Sequence, residues 1–436
     1  MVYFGSERET YLQLVQAADS KGFLQFIKQP LQVQLGVEKH KVKCSDRSRY
    51  TVHGKRERYL QGWLGERMVV PIYRVRCCDC GAVFTVLPSF ILRYRRQDSD
   101  CLSKLLTLCL SMGLSQRQTA TIYTWSGMER HWTPGWVWSL LQWLGKLLPV
   151  AWLLLRLGLT PPQHVLSDEK FGSLDNEQIY LFLVSQGELI WYTEWLQQAN
   201  AAAFSPAISN FLGAVNDEPH RHKQLPPPLA YTPQTATTDG WKPVQNAWKS
   251  QVPQINLLEC RWHGRKRINA TLKEYAQQHP ELTAQELQTL KQQFGHLFAA
   301  PSLAAYSQRL RRLSEAHAGD PILSKRLAIL KDKQFLFTDY LNFPSASPFL
   351  APLDRSMRFL DEKLQSFGQF WAKEKVNATL NAWAIINNLR PFLPDAKRAG
   401  QSLVEVFEAQ LRGIPWMEAL NLCTVGRFED LSPASG

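Results

Sequence analysis

The sequence predicts a multidomain α/β protein: a mixed β-sheet core with flanking helices, preceded by a small β module and a helical module, and interrupted by a helical insertion. Three observations lead there. The chain has 436 residues, enough for two to four domains. Strand-like and helix-like stretches come in blocks rather than in a uniform alternation, as separate modules do. One block reads as three consecutive strands, then helix, strand, helix, strand. The composition, 45% apolar and 20% charged, is that of a globular protein and excludes a disordered tail, a collagen-like fibre and a small disulfide scaffold. The 50 basic residues exceed the 38 acidic ones, a formal charge of +12. Such an excess favours a polyanionic partner.

Residues 1–36 read as a helical lead-in with no basic-then-apolar start, so no signal peptide is expected. Residues 37–92 change character: basic clusters lie beside strand-like runs at 68–73 and 82–87. Residues 97–160 are helical and rich in tryptophan. Their most apolar stretch, 139–159, is interrupted by Lys146, Pro149 and Arg156, and the nine residues between the two charges fall short of the ~20 apolar residues a membrane span needs. It reads as buried helix, and no membrane partner is expected. Residues 163–263 hold three apolar runs joined by short polar turns, then a helix-like stretch, a short strand (TATTDG), a helix and a fifth strand at 254–262. Residues 264–345 form the polar, helical insertion, and 350–436 supply closing helices and a tail.

The eight cysteines are scattered except at 77–80, where Cys77-x-x-Cys80 offers half of a tetrahedral zinc site. His40-x3-Cys44 lies upstream with suitable spacing. His40, Cys44, Cys77 and Cys80 are therefore the expected ligands of a structural Zn²⁺, with His53 or Cys78 as substitutes. Four protein ligands leave no open position for catalysis. Downstream, Asp98–Met112, the turn Gly113-Leu114-Ser115 and Gln116–Tyr123 read as helix-turn-helix, followed by a third helix after Thr133-Pro134. Beside a basic β module this pattern points to DNA. Trp125, Trp132, Trp136, Trp138 and Trp143 read as core rather than as a base-stacking surface.

Two strands end in acids: Ser167-Asp168-Glu169 and Thr238-Asp239-Gly240. In an RNase H-like sheet these strands are neighbours, and their carboxylates would meet. Two such acids and a third from a later helix suit Mg²⁺, which takes hard oxygen ligands. Paired metals serve phosphoryl transfer. A run of cations, Arg261, Arg265, Lys266 and Arg267, follows the fifth strand in what reads as a short loop. Phosphate contact and a merely solvated loop fit it equally.

With these residues in view, the chain resembles the DDE-type transposases of bacterial insertion sequences, within the RNase H-like and retroviral-integrase superfamily. The resemblance rests on R-x-x-C-x-x-C-G-x-x-F-x-x-L-P-S-F at 74–90, the MGLSQRQTA turn, SDEKF and TTDGW after short strands, and INNLRPFLPDAKRAGQSLVEVF within 353–412. It covers residues 40–415 apart from the insertion. The family implies a third acid some 30–35 residues before the N-x-x-R-P element, and the count reaches Asp354, preceded by Pro352 at a helix start. The family's usual residue is Glu, which leaves Glu362 and Glu374 as alternatives. Asp168, Asp239 and Asp354 would hold two Mg²⁺ (Mn²⁺ as substitute). Arg265, Lys266, Arg267, Arg355 and Arg358 would touch DNA. The resemblance further implies 3′-strand cleavage and strand transfer at terminal inverted repeats, a homodimer or larger assembly on double-stranded DNA, no small-molecule substrate, and a prokaryotic cytoplasmic, nucleoid-associated location. Two rivals are a decayed relative that binds DNA without catalysis and a metal-dependent nuclease that never joins strands.

Overall fold

The computed structural model describes residues 2–4, 8–16, 20–27, 49–93, 95–126, 132–218, 230–367, 370, 372–409, 411 and 413–425. Among the described residues it is a mixed α/β chain with two sheets. It divides into two units: residues 1–161, 214–229 and 359–436 form the first, and residues 162–213 and 230–358 the second.

In the first unit, β2 (Tyr50–Gln61), β3 (Arg67–Cys77) and β4 (Val83–Pro88) form an antiparallel sheet, and β1 (Val2–Phe4) adds to β4 in parallel. The expected lead-in thus begins with a strand before its helices α1 (Arg8–Gln16) and α2 (Ser20–Phe26). Strand β2 was not expected at all, because its Lys and Arg residues hide the alternation. Its burial is period-two only in part, and buried Leu60 is its firmest core contact. Val70, Ile72 and Val75 of β3 are fully buried and hold the sheet to the core.

Helices α3 (Ser99–Leu110) and α4 (Gln116–Trp125) flank a tight turn in which Gly113 has φ +68°, a conformation that favours glycine. Ser115 caps α4: its hydroxyl accepts from the Gln118 amide at 3.2 Å and the Gln118 side chain accepts from the Ser115 amide at 2.9 Å, a capping box. Helix α5 (Pro134–Leu147) starts on Thr133 and is followed, across a 60° bend, by α6 (Val150–Arg156). No single described helix is long and apolar enough to cross a membrane. Asn381 spans the bend, donating at 2.8 Å to the carbonyls of Gly145 and Leu148 and accepting from the Val150 amide at 3.1 Å. It satisfies groups that a helix end leaves open.

The tryptophans are only half-buried. Trp132 and Trp136 sit 4.1 Å apart between ring centroids, and both pack on Tyr123, which also stacks on Trp63. Trp125 is 79% exposed. These rings wedge the β2–β3 turn against the helices rather than filling a core.

The second unit is built on a five-stranded sheet ordered β7-β6-β5-β8-β9. β5 (His164–Leu174), β6 (Glu177–Gln186) and β7 (Leu189–Leu196) form an antiparallel meander. Its first turn places Asp175 and Asn176 at positive φ, as a two-residue hairpin of matching twist requires. Helix α7 (Ala201–Asn216) leads away. β8 (Thr235–Thr238) then adds to β5 in parallel, α8 (Lys242–Gln251) follows, and β9 (Asn256–Glu259) adds to β8 in parallel.

The insertion is α9 (Arg261–Gln278), α10 (Ala284–Phe298), α11 (Leu303–Ala316), α12 (Pro321–Asp332) and α13 (Gln334–Thr338). Leu272, Phe294, Leu297, Phe298, Leu323 and Phe337 give it a hydrophobic core of its own. The cation run expected as a loop is helical instead: Arg261 to Arg267 are the first two turns of α9. No Pro interrupts it, and the one glycine, Gly264, lies buried against Phe298 and Phe337.

The closing region also differs from expectation. Helix α14 (Ala351–Phe367) starts in the second unit, and the division falls after Arg358. α15 (Lys373–Leu389), α16 (Leu403–Val406) and α17 (Trp416–Cys423) belong with the first unit. α15 packs along α5, where Gln142 donates to Thr379 Oγ1 at 2.8 Å. A nearly all-buried α15 matches any layer by pattern alone, so sequence periodicity cannot say which sheet or bundle it joins.

Candidate active site

The sheet of the second unit brings acids together at one end. β5 and β8 are adjacent, with His164 opposite Thr235 and Leu166 opposite Thr237. Their pairing stops there, so Asp168 and Asp239 emerge side by side where the two strands part. Asp168 does not end its strand as expected. β5 runs on to Leu174 because β6 continues to pair with it.

Asp239 begins the turn after β8. Its Oδ1 accepts from the Trp241 amide at 2.7 Å, which fixes the carboxylate against its own backbone. Asp354 lies in the first turn of α14. The connecting chain crosses the ends of β8 and β9: Thr237 Oγ1 donates to the Ser347 carbonyl at 2.8 Å, the Arg261 amide to Pro348 at 3.0 Å, and the Leu350 amide to Cys260 Sγ at 3.3 Å. At the β6–β7 turn, Ser356 donates to the Glu188 carbonyl at 2.9 Å and Arg355 pairs with the Glu188 carboxylate at 2.6 Å. The start of α14 is thus pinned where Asp354 faces the strand acids.

The electrostatics agree. Asp168 is 8% exposed, and its pKa is pushed up to about 8, first by burial and then by the charges of Asp354 and Asp239. Glu169 is likewise pushed up to about 8 by burial and by Asp168 and Asp239. In the sequence, nothing but its place beside Asp168 marks Glu169. His263, in the first turn of α9, is likewise unmarked there. The His263 Nδ1 is buried with no hydrogen-bond partner in the structure. Burial lowers its pKa, against the opposing pull of Asp239 and Asp354. An imidazole therefore lies at the same sheet end as the acids. Glu362, two turns beyond Asp354, is about 12 Å further along the helix, and Glu374 opens α15 in the first unit. Neither is among the charges that act on Asp168.

Of the expected DNA-contacting cations, Arg265 and Lys266 are exposed on α9, and Lys266 lies over the Trp262 ring at 5.4 Å. Arg358 is exposed on α14, and Arg355 is held by Glu188. Arg267 turns inward instead, onto Glu259 and the Asp239 carbonyl. Among the described residues no three His, Cys, Asp or Glu side chains stand close enough together to hold a metal ion as they are.

In the first unit, Cys77 and Cys80 bracket a tight turn at the end of β3. The Gly81 amide donates to the Cys77 carbonyl and the Cys77 amide to Ala82, each at 2.9 Å. Cys77 is buried and Cys78 exposed. His53 is exposed on β2, and His40 and Cys44 lie outside the described residues.

A domain of unknown function, DUF6431, matches residues 42–125. The matched segment takes in β2 to β4, the Cys77–Cys80 turn and both helices around Gly113. No curated protein matches the chain.

Proposed function

We propose that this protein is a metal-dependent DNA transposase of an insertion sequence, with an RNase H-like catalytic core. The observation that carries the reading is that Asp168, at one end of a sheet ordered β7-β6-β5-β8-β9, lies near enough to Asp239 and Asp354 for their charges to raise its pKa. Three antiparallel strands followed by two parallel ones support the RNase H-like reading. Asp168, Asp239 and Asp354 would hold two Mg²⁺. The donor chemistry suits the ion, since all three offer hard oxygens and a carboxyl that keeps its proton up to about pH 8 is one whose proton a cation can replace, but the three would have to draw closer than they stand to share it. When bound, the ions supply Lewis-acid stabilisation of the entering and leaving oxygens.

The chain's own residues do the rest. Arg265 and Lys266 follow β9 on the exposed side of α9 and would meet phosphates. His263, half-buried near two of the acids, would accept or donate a hydrogen bond to the reacting strand. In the first unit, Cys77 and Cys80 would form half of a structural Zn²⁺ site completed by His40 and Cys44. The helix-turn-helix of α3 and α4 would read the terminal repeats, with two protomers pairing two ends.

The test is cleavage and strand transfer on DNA carrying the element's own ends, with wild type beside Asp239→Ala, in Mg²⁺ and in EDTA. Mg²⁺-dependent 3′ nicking and joining that the variant and EDTA abolish is the expected result. Binding without cleavage under any divalent metal would overturn it in favour of a DNA-binding protein. Nicking without joining would leave a nuclease.

A further inference from the structure

Glu259 ends β9 opposite Thr238, one residue before Asp239. It is 2% exposed, and a carboxylate so buried requires paired charge. Two cations supply it. Arg267 of α9 grips Oε1 of Glu259, and Lys333, between α12 and α13, sits 2.6 Å from Oε2. Each cation also reaches the turn that carries Asp239. Arg267 donates to the Asp239 carbonyl and stands 3.9 Å from its Oδ2, and Lys333 reaches the Gly240 carbonyl at 3.4 Å. Two consecutive carbonyls are therefore clamped to one buried carboxylate. Gly240 completes the fit: it has φ +93°, and a Cβ there would lie 2.2 Å from the Glu259 carboxyl carbon. Only glycine lets the carboxylate lie flat on the turn.

We propose that Glu259, Arg267 and Lys333 form a positioning triad that sets the direction of the Asp239 carboxylate, and that the helical insertion exists in part to deliver its two cations. This rests on the proposed function in so far as Asp239 is a metal ligand; the clamp on the turn does not. None of the three touches the reacting atoms. Their effect runs through the Asp239–Gly240 backbone, the polarity of the clamp fixing where the carboxylate can point.

Two readouts on the purified full chain test the triad. One is hydrogen exchange of the Trp241 amide, which is bonded to Asp239 Oδ1. The other is Mn²⁺ affinity at pH 8, followed by the electron paramagnetic resonance of free Mn²⁺. The variants are Lys333→Met and Arg267→Lys, with Lys333→Arg as rescue. Arg267→Lys keeps the charge but loses the fork that spans Glu259 and the Asp239 carbonyl, so it serves even if Lys333→Met does not fold. Positioning predicts that Trp241 exchange rises at least tenfold, and Mn²⁺ binds at least fivefold more weakly, in both variants, while exchange in the β5–β6 hairpin stays put and Lys333→Arg restores both. A purely electrostatic role predicts the opposite sign for Lys333→Met, since removing a nearby cation tightens Mn²⁺ binding. Unchanged Trp241 protection in folded variants, or tighter Mn²⁺, overturns the triad. If wild type shows no Mn²⁺ binding that Asp239→Asn removes, the metal reading falls. The exchange data then still decide whether the clamp positions the turn.

Discussion

At the scale of single residues, Asp168 carries the most testable electrostatics. A carboxyl with its pKa raised to about 8 in the fold, against an unfolded value near 3.9, keeps its proton in the native state while the unfolded chain has lost it. Stability therefore falls as pH rises from about 4 to about 8, and the loss is complete above that window. Asp168→Asn removes it. In EDTA, the variant is expected to match wild type near pH 4 and to exceed it by at least about 1 kcal/mol at pH 8, read from urea midpoints. A stabilisation independent of pH would refute the burial-and-repulsion account. Divalent cations act on the same group from the other side. Mn²⁺ is expected to raise the wild-type melting temperature more at pH 8 than at pH 6, and to leave Asp168→Asn unmoved. That Asp168 and Asp239 lie on or just after neighbouring strands was legible in the sequence because each stands in or after a short strand-like run. Glu169, His263 and Glu259 were not. Their roles come from burial and from side chains that arrive from distant elements, and neither is written in local sequence.

At the scale of elements, the meander was legible because long aromatic and β-branched runs between short polar turns have few other readings. Strand β2 was not, because a chain segment with one wet face and many cations carries no clean alternation. The start of α9 failed for a related reason: a run of Arg and Lys suits a solvated loop and an exposed helix face equally, and Leu350 and Pro348, far along the chain, hold the helix start in place. The two helices around the Gly113 turn were readable from Gly113 and Ser115 together. The Ser115 cap gives a sharp expectation. Ser115→Ala removes the hydroxyl that accepts from Gln118, a loss of about 1 kcal/mol. Hydrogen exchange across Gln116–Trp125 should then quicken roughly fivefold while α3 keeps its protection. Equal quickening in both helices would mean that they open as one body and the cap is not limiting. The Cys77–Cys80 turn is equally testable. If it is half of a zinc knuckle, Cys80→Ser should drop the bound zinc from about one per chain to near zero by elemental analysis. Zinc absent from wild type would remove the site.

At the scale of the whole molecule, the proposed duties separate along the division of the chain. The acids belong to the second unit, whereas the DUF6431 match and the helix-turn-helix belong to the first. Of the excess of 12 positive charges, ten fall in the first unit's residues and two in the second's. If duplex DNA is the partner, binding must release counterions, and its salt dependence counts the phosphates neutralised. About six such contacts would lower affinity roughly a thousandfold between 50 and 200 mM salt. The carboxylates make no such contact, so Asp168→Asn, Asp239→Asn and Asp354→Asn combined should leave that slope unchanged. Affinity should hold or tighten, since the negative charge at the acids no longer faces the phosphates, while strand cleavage disappears. Fluorescence anisotropy with a labelled terminal-repeat duplex across a salt series measures both quantities. A slope near zero in wild type would remove duplex DNA as the partner of this charge. A slope that falls in the triple variant would place the acids in the binding footprint rather than at a separate chemical centre. An unchanged slope with cleavage lost is what a chain whose acids stand apart from its phosphate contacts must give.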